Sequence, residues 1–347
     1  MVLKIAIADK NEEYVERLLG VLEEYEELNI SVFTDETALE QALMSQKFDV
    51  LLFDASVYNG YADGNKKTLQ ILLLDEEKGV PEQFQKIRKI RKYQRISKIY
   101  QQILEVYAEV CGDMGTIAGQ KKTSIVAVYS PIGGAGKTTV ALCAATKYAM
   151  QGKRSLYLSL EDIGSQECYL PRTEERGISE VVARLDENIN YAMKVQSLMQ
   201  TKQTNLFYLN HFDSPNDVYE LSPEDVKNLI DVLGKTGLFD VIVLDMECSM
   251  DAKALTVFEV ADHIVVVEKA DNMAASKMTC FVNQAHIKNA YGKKMVRVQN
   301  FYMGRESAVN SEIPVIGRIN AAQNPDPAQF ITAIAQDGCS NCLLQLA

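Results

Sequence analysis

Short apolar runs alternate with amphipathic segments along the first third of the chain. The apolar runs predict strands at residues 4–8, 30–33, 50–53, 69–74 and 87–93. Between them, apolar side chains recur at three- and four-residue spacing and predict helices at residues 12–27, 36–45 and 96–110. Such alternation builds a parallel sheet with helices on both faces. The first domain is therefore predicted to be an α/β domain over residues 1–110.

Residues 111–123 interrupt this pattern with three glycines and no helical periodicity, which predicts a linker. A second alternating series follows, with strands predicted at residues 124–129, 155–160, 206–209, 239–244, 263–267, 295–298 and 315–319. The length of 347 residues also fits two domains. The fold class predicted is α/β, with two doubly wound parallel-sheet domains at residues 1–110 and 124–347.

A glycine-rich loop lies between the first strand of the second domain and a helix predicted at residues 140–150. It consists of Gly133, Gly134, Ala135, Gly136, Lys137, Thr138 and Thr139. Small residues let successive backbone N–H groups converge on phosphate oxygens at the positive end of a helix. Lys137 would reach the β- and γ-phosphates, and the Thr138 hydroxyl would bind Mg²⁺. The loop predicts a site for ATP or ADP with Mg²⁺.

A nucleotide–magnesium site needs a carboxylate near the metal. Asp245 follows the apolar strand at residues 239–244, whose carboxyl end is expected at the same sheet edge as the loop. We therefore expect Asp245 to hold Mg²⁺ through water and to belong to the catalytic group with Lys137.

The balance of charge narrows the choice of partners. The chain carries a net charge of −11, which disfavours direct binding to nucleic acid. Seven basic residues without an acid lie within residues 86–98, either as a solvated face or as a surface for a protein partner.

No apolar run approaches the ~20 residues of a membrane helix. The N-terminus becomes acidic at Asp9, too early for a signal peptide, so we expect a cytoplasmic protein.

The seven cysteines are interpreted as reduced thiols. Cys339 and Cys342 form a single Cys-x-x-Cys pair, which leaves a redox or metal role open beside coincidence, because no second pair completes a tetrahedral site. The three histidines lack a nucleophile or acid at motif spacing and are interpreted as structural.

The second domain resembles the MinD/ParA group of P-loop ATPases. The glycine-rich loop carries most of the resemblance, supported by residues 261–267 and 313–319, which resemble two later strands of that group. The resemblance implies a parallel sheet, binding of ATP and Mg²⁺, and a homodimer that closes face to face across two nucleotides. It also places Asn300 where the group has an adenine-contacting asparagine.

Three departures from this group bear on hydrolysis and on membrane binding. Ile132 replaces the lysine that opens the loop and reaches the partner's phosphates, which implies weak or absent hydrolysis. The group's Asp-x-Asp matches either Ser159 with Glu161 or Leu160 with Asp162; we favour the first, with Glu161 as the water-facing carboxylate. The chain has no Lys or Arg after Arg318, unlike the basic membrane helix of MinD, so no direct membrane anchor is expected.

The first domain resembles a response-regulator receiver. Asp9, Asp54 and Lys92 stand at the positions of its phosphorylation pocket. However, Lys10 follows Asp9 where receivers have a second acid, and Asp75 stands where they have a hydroxyl residue. We interpret the pocket as degenerate, with a phosphorylatable pocket as the alternative.

A degenerate receiver ahead of a MinD/ParA-type domain is the architecture of the TadZ/CpaE family. This resemblance implies a nucleotide-bound dimeric scaffold that recruits the Tad (Flp) pilus-assembly and secretion machinery to a cell pole. A hydrolysing ParA/MinD-type segregation or division-site ATPase is one alternative. A two-component output protein with a live receiver is another.

Overall fold

The structure, a computed structural model, describes residues 2–23, 25, 28–58, 68–75, 80–111, 122–173, 176–321 and 326–347. The chain divides into two compact units. One contains Met1–Met114 with Asn188–Ser197, and the other contains Gly115–Glu187 with Leu198–Ala347. Most of the linker predicted at residues 111–123 lies outside the described residues.

The first unit contains a five-stranded parallel sheet in the order β2-β1-β3-β4-β5. Its strands are β1 (Leu3–Ala8), β2 (Leu28–Phe33), β3 (Val50–Phe53), β4 (Leu69–Leu74) and β5 (Arg88–Arg91). Its first helices are α1 (Glu12–Leu22), α2 (Glu36–Ser45) and α3 (Ile96–Cys111), and a 3-10 helix spans Glu82–Phe84. This strand order is that of doubly wound flavodoxin-like folds, so the predicted fold class is confirmed.

Side-chain alternation along β1 supplies both halves of the core. Ile5 and Ile7 pack in one apolar cluster with side chains of α1 and α3. Ala6 and Ala8 face the opposite side and pack in a second cluster with α2. A strand buried on both faces reads as a continuous apolar run, which explains why β1 was predictable from the sequence.

Two elements of this unit, α1 and β5, are shorter than predicted. Helix α1 ends at Leu22, with Glu23 as its C-cap, instead of continuing to residue 27. Strand β5 covers only Arg88–Arg91 of the predicted residues 87–93. Acidic residues extended the apparent helical pattern of α1, and helix ends are the least reliable feature of such patterns.

The second unit contains an eight-stranded sheet in the order β13-β12-β11-β6-β10-β7-β9-β8. Its strands are β6 (Ser124–Tyr129), β7 (Ser155–Leu160), β8 (Gln200–Gln203), β9 (Leu206–Tyr208), β10 (Val241–Met246), β11 (His263–Glu268), β12 (Met295–Tyr302) and β13 (Val315–Asn320). All neighbours pair in parallel except β8 with β9, which are antiparallel. The sequence did not predict β8, because Gln-Thr-Lys-Gln has no apolar pattern.

The remaining helices are α4 (Lys137–Met150), α5 (Ile178–Val182), α6 (Tyr191–Leu198), α7 (Pro215–Glu220), α8 (Pro223–Lys235), α9 (Ala252–Val260), α10 (Asn272–Val282), α11 (Ala285–Tyr291) and α12 (Pro327–Gln336). Short 3-10 helices span Gln166–Cys168 and Gly292–Lys294, and a longer one spans Gly338–Leu346. No helix among the described residues is long and apolar enough to span a membrane.

Helix α4 is buried inside the second unit, to which it belongs. Its residues from Lys137 to Ala149 are all buried. The C-terminal 3-10 segment Gly338–Leu346 covers it, where the Tyr148 hydroxyl donates to Leu343 O at 2.7 Å and Lys147 Nζ to Asn341 Oδ1 at 2.6 Å. The helix that follows the glycine-rich loop is therefore held rigidly by packing along its length.

Residues 188–197 complete the core of the first unit, although they lie between α5 and β8 in the chain. Met193 belongs to the apolar cluster that contains residues of α3. The Asn190 N–H donates to Ala108 O at 3.1 Å, and the buried ammonium of Lys194 pairs with Glu105 at 3.1 Å. The hydrophobic pattern of the sequence did not indicate that residues 188–197 belong to the first unit.

Candidate functional site

The glycine-rich loop joins β6 to α4 at the carboxyl edge of the sheet. Gly134 and Gly136 have φ angles of 66° and 81°, the left-handed region that glycine adopts without a Cβ clash. Gly136 is the N-cap of α4, and no side chain caps its first turn. The N–H groups there are consequently available to an anion, at the positive end of a 14-residue helix.

Asn300, from the end of β12, lies against this loop. Its amide nitrogen donates to Ala135 O at 3.0 Å. A Cβ on Gly136 would lie 2.2 Å from Asn300 Nδ2, a distance that no real Cβ tolerates. The structure thus places Asn300 in the immediate neighbourhood of the loop, and glycine at position 136 is required by both its φ angle and this close approach.

Three oxygen-bearing side chains of the predicted site meet beside the start of α4. The Thr138 hydroxyl donates to Glu161 Oε1 at 3.4 Å. Asp245, at the end of β10, is fully buried, and its Oδ2 accepts from the Tyr157 hydroxyl at 2.8 Å. Burial, and after it the negative charge of Glu161, raises the pKa of Asp245 to about 7, whereas the positive charge of Lys137 opposes the rise.

These residues fit a magnesium ion. Asp245 Oδ1 is buried without a hydrogen-bond partner among the described residues. Two neighbouring carboxylates and a hydroxyl are the kind of oxygen ligands that Mg²⁺ prefers. A cation between them would offset the negative charge of Glu161, which adds to the effect of burial on the pKa of Asp245. The described residues contain no cluster of three or more His, Cys, Asp or Glu side chains suited to a metal. Mg²⁺ characteristically completes its shell with water and phosphate oxygens.

The residues of the two alternative registers at the end of β7 lie in different surroundings. Ser159 is buried in the strand, opposite Asp245 in the register with β10. The Glu161 carboxylate faces Thr138 and also accepts from Ser165 Oγ at 3.2 Å. Glu161, from the favoured register, is thus brought to the site, whereas Asp162 follows as a half-buried residue.

Sequence reasoning missed three residues that hold this group in place. They are Tyr157, Ser165 and His211, whose Nε2 lies 2.9 Å from Glu161 O. A tyrosine inside an apolar strand needs a partner for its hydroxyl, which was the available signal for Tyr157. His211 lies fifty residues from Glu161 in the chain, and nothing at that spacing indicates contact.

Ile132, which precedes the glycine-rich loop, is buried with 4% of its surface exposed. Its N–H donates to Ser130 Oγ at 3.2 Å, and the Ser130 hydroxyl donates to Val267 O at 2.7 Å. The start of the loop is therefore anchored to β11 through Ser130. An aliphatic side chain is compatible with this enclosed position, whereas an unpaired lysine ammonium would be costly to bury.

The receiver-like pocket assembles in the first unit as predicted from strand ends. Asp9, Asp54 and Lys92 are all buried. Lys92 Nζ lies 2.5 Å from Asp9 Oδ2 and 3.1 Å from Asp54 Oδ2. The other oxygen of Asp54 accepts from Ser56 Oγ at 2.6 Å and from its N–H at 2.8 Å. Both oxygens of Asp54 are therefore engaged by the protein itself.

The charges in this pocket are mutually stabilised. Burial alone would raise the pKa of Asp54, but hydrogen bonds from Ser56 and Lys92 hold it below its ordinary value. Burial alone would lower the pKa of Lys92, but Asp9 and Asp54 hold it above its ordinary value. The Lys92 ammonium also lies 4.9 Å from the centroid of the Tyr14 ring. Lys92 thus supplies the positive charge between the two carboxylates.

The other candidate features do not form a further site among the described residues. Cys339 and Cys342 are free thiols, and Cys342 Sγ donates to Cys339 O at 3.6 Å. In the basic stretch, Arg88 pairs with Glu109 at 2.9 Å and Lys89 donates to Gln85 O. Arg88 is consequently paired with an acidic residue of its own unit.

Comparisons with known proteins found one family match and several structural neighbours. Residues 1–108 match the family described as TadZ-like, receiver domain. A ParA family ATPase from Chlorobium tepidum TLS is 15% identical, covers 65% of this chain and 97% of its own, and superposes with a TM-score of 0.53. The septum site-determining protein MinD with Mg-ADP from Pyrococcus horikoshii OT3 is 15% identical, covers 65% and 94%, and has a TM-score of 0.50. No curated protein matches the chain. At this identity the structural likeness shows the fold.

Proposed function

We propose that this chain, in which a TadZ-like receiver domain precedes a domain with the ParA and MinD fold, is a nucleotide-dependent localisation scaffold of the TadZ/CpaE type. It would bind ATP and Mg²⁺, form a homodimer in the cytoplasm, and recruit pilus-assembly and secretion proteins to a cell pole. The observation that supports it most is the convergence of Thr138, Glu161 and Asp245 beside the uncapped first turn of α4.

Each residue of the proposed site has a definite part in binding. The loop N–H groups from Gly133 to Thr139 would bind phosphate oxygens, and Lys137 would neutralise their charge. Thr138 and Asp245 would hold Mg²⁺, which when bound screens the charge of the phosphates and of the two carboxylates. Asn300, whose amide nitrogen donates to Ala135 O of the loop, would contact the adenine.

Hydrolysis is expected to be slow. Ile132 carries no charge and is enclosed within its own chain, so position 132 supplies no cation to a partner's phosphates. A cation acting across an interface is worth about 10³–10⁵ in the rate of phosphoryl transfer. Glu161 would face the attacking water, but its oxygens already accept hydrogen bonds from Thr138 and Ser165. We therefore assign the site to binding and assembly more than to turnover.

The receiver domain would serve as a docking module instead of a phosphorylated switch. Lys10 adds positive charge where receivers have a second acid, and Asp75 offers no hydroxyl to a phosphoryl group. The Lys92 ammonium already lies between Asp9 and Asp54, which supports a pocket that is stable without phosphorylation. The exposed part of the basic stretch at residues 86–98 is the surface that we assign to protein partners.

ATP turnover of the full-length protein tests this proposal. We expect turnover well below about one per second, the low end of ordinary enzyme rates, with no stimulation by DNA or anionic vesicles. Lys137→Ala provides the background rate. Turnover that rises severalfold with DNA or vesicles would instead favour a hydrolysing ParA/MinD-type ATPase.

Acetyl-phosphate labelling tests the receiver separately. We expect no label on the wild-type protein, because Lys10 and Asp75 replace the second acid and the hydroxyl residue of the receiver pocket. Labelling that Asp54→Ala abolishes would favour a two-component output protein instead.

A further inference from the structure

We infer that Phe301 is the base-stacking residue of the nucleotide site, its ring forming one wall of a subsite for the purine. This inference rests on the proposed function, because it assumes that a nucleoside triphosphate binds at the glycine-rich loop. It assigns a role to a residue that neither the sequence motif nor the fold singles out.

The backbone at the end of β12 is irregular at this residue. The pairing of β12 with β13 shifts register between Gln299 and Tyr302. Within that irregularity Phe301 has a φ angle of 53°, in the left-handed region. Bulges next to active sites commonly redirect a side chain. A bulky residue with this φ angle is an outlier that the surrounding structure must enforce.

The irregularity determines where the ring lies. In a regular strand, the side chains of Asn300 and Phe301 would point to opposite faces of the sheet. Here both lie against Gly136, since a Cβ placed there would be 2.2 Å from Asn300 Nδ2, 3.1 Å from Phe301 Cζ and 3.5 Å from Phe301 Cε2. The left-handed residue thus brings an aromatic ring and an amide to the same side of the phosphate loop.

The ring remains partly open to solvent at this position. A strained backbone conformation normally persists because the side chain is tightly packed. Phe301, however, is 41% exposed, so packing within the chain does not account for its conformation. The only other described residue with positive φ that is not glycine is Asn205, a type that tolerates this region. An exposed aromatic face beside a phosphate-binding loop is suited to stacking on a base, whose burial would complete its packing.

Stacking predicts a particular pattern of affinities. Removing an aromatic partner of a nucleic-acid base weakens binding by about tenfold, and the effect tolerates different bases because each presents a π-face. The phosphate loop itself would be unaffected by loss of the ring. A purine stacks over a larger area than a pyrimidine, so ATP should depend on Phe301 more than CTP does. Inorganic tripolyphosphate has no base and should not depend on Phe301.

Calorimetry with the full-length protein and Mg²⁺ tests this pattern, with ATP, CTP and tripolyphosphate as probes. We expect Phe301→Ala and Phe301→Leu each to weaken ATP about tenfold and to leave tripolyphosphate within twofold of the wild-type affinity. Leucine preserves apolar contact with Gly136 but lacks a π-face. Met303, which directly follows β12, is 83% exposed. Met303→Ala is therefore the matched control and should leave all three affinities unchanged.

Phe301→Trp adds a spectroscopic readout, because the chain contains no tryptophan. We expect this variant to retain ATP affinity, and its fluorescence to change with ATP but not with tripolyphosphate. Thermal unfolding of each variant checks that it is folded.

Two results would overturn the inference. One is an unchanged ATP affinity in Phe301→Ala; if self-association is lost at the same time, the ring contacts a second copy of the chain instead. The other is an equal loss of affinity for ATP and tripolyphosphate, which would make the ring a support of the loop. If wild-type protein binds neither ATP nor tripolyphosphate, the proposed function itself fails.

Discussion

Gly133 and Gly136 lie in the same loop but in different surroundings. Gly136 combines a φ angle of 81° with the close approach of Asn300. Gly133 has no atom within 4 Å of the position that a Cβ would take. Substituting each glycine by alanine therefore compares a position whose φ angle and close contact require glycine with a position that has room for a methyl group.

We predict that Gly136→Ala lowers the free energy of unfolding by about 1–3 kcal/mol, because alanine is strained there and its methyl group displaces Asn300. Gly133→Ala should change it by less than about 0.5 kcal/mol. Thermal unfolding of both variants gives the comparison. Equal unfolding temperatures would show that the loop does not hold the close contact described here.

Asp54 provides a prediction of pH dependence. Its pKa lies below the ordinary 3.8, so its charge stabilises the fold above that pH and the contribution is lost as the pH falls through the lowered value. Lys92 stays protonated throughout, since its pKa is raised above 10.5. We expect Asp54→Asn to cost about 1–3 kcal/mol at pH 7. The difference from wild type should shrink below about pH 4.

Thermal unfolding from about pH 3 to pH 8 measures that difference. A gap that stays constant down to the lowest pH, or widens as acid is added, would contradict the ion triad of Asp9, Asp54 and Lys92.

Single residues were predictable where they end a strand or follow a simple motif. Asp9, Asp54 and Asp245 each terminate an apolar run, and parallel strands bring such ends to one edge. Tyr157, His211 and Phe301 depend on contacts between distant segments or on a bulge, which no local pattern contains.

Among the secondary-structure elements, α6 is the least expected. It is short, lies within the second series of strands, and yet its residues up to Ser197 complete the first unit. Buried strands such as β3 and β10 were predictable because both faces are apolar. The polar edge strand β8 and helix α6 were not, because tertiary contacts determine where they lie.

Met193→Ala tests whether α6 is part of the core of the first unit. Met193 is 4% exposed in the core of the first unit, so we expect its truncation to lower the stability of that unit by about 2–4 kcal/mol. Met44 in α2 is 86% exposed, and Met44→Ala is the control with an expected effect within about 0.5 kcal/mol.

Hydrogen exchange of peptides from α3 is the direct readout for these variants. Met193→Ala should accelerate exchange there and Met44→Ala should not. Unchanged protection of α3 in Met193→Ala would mean that α6 is not part of this core.

For the whole molecule, the sequence predicted two α/β units, each with its own candidate site. Alternating strands and helices indicated the fold class, and the match of residues 1–108 together with the ParA and MinD fold confirms it. The grouping of residues 188–197 with the first unit was beyond sequence patterning, since it depends on which distant surface those residues contact. The net charge of −11 remains consistent with a protein partner more than with anionic lipid or nucleic acid.

The central claim is that the turn between β6 and α4 binds a nucleoside triphosphate with Mg²⁺. Isothermal titration of the full-length protein with ATP tests it most directly, in the presence of Mg²⁺ and after its removal by chelation. We predict saturable binding by the wild-type protein that weakens at least tenfold without Mg²⁺ and is lost in Lys137→Ala. Absence of ATP binding by folded wild-type protein, or equal binding by Lys137→Ala, would contradict the account.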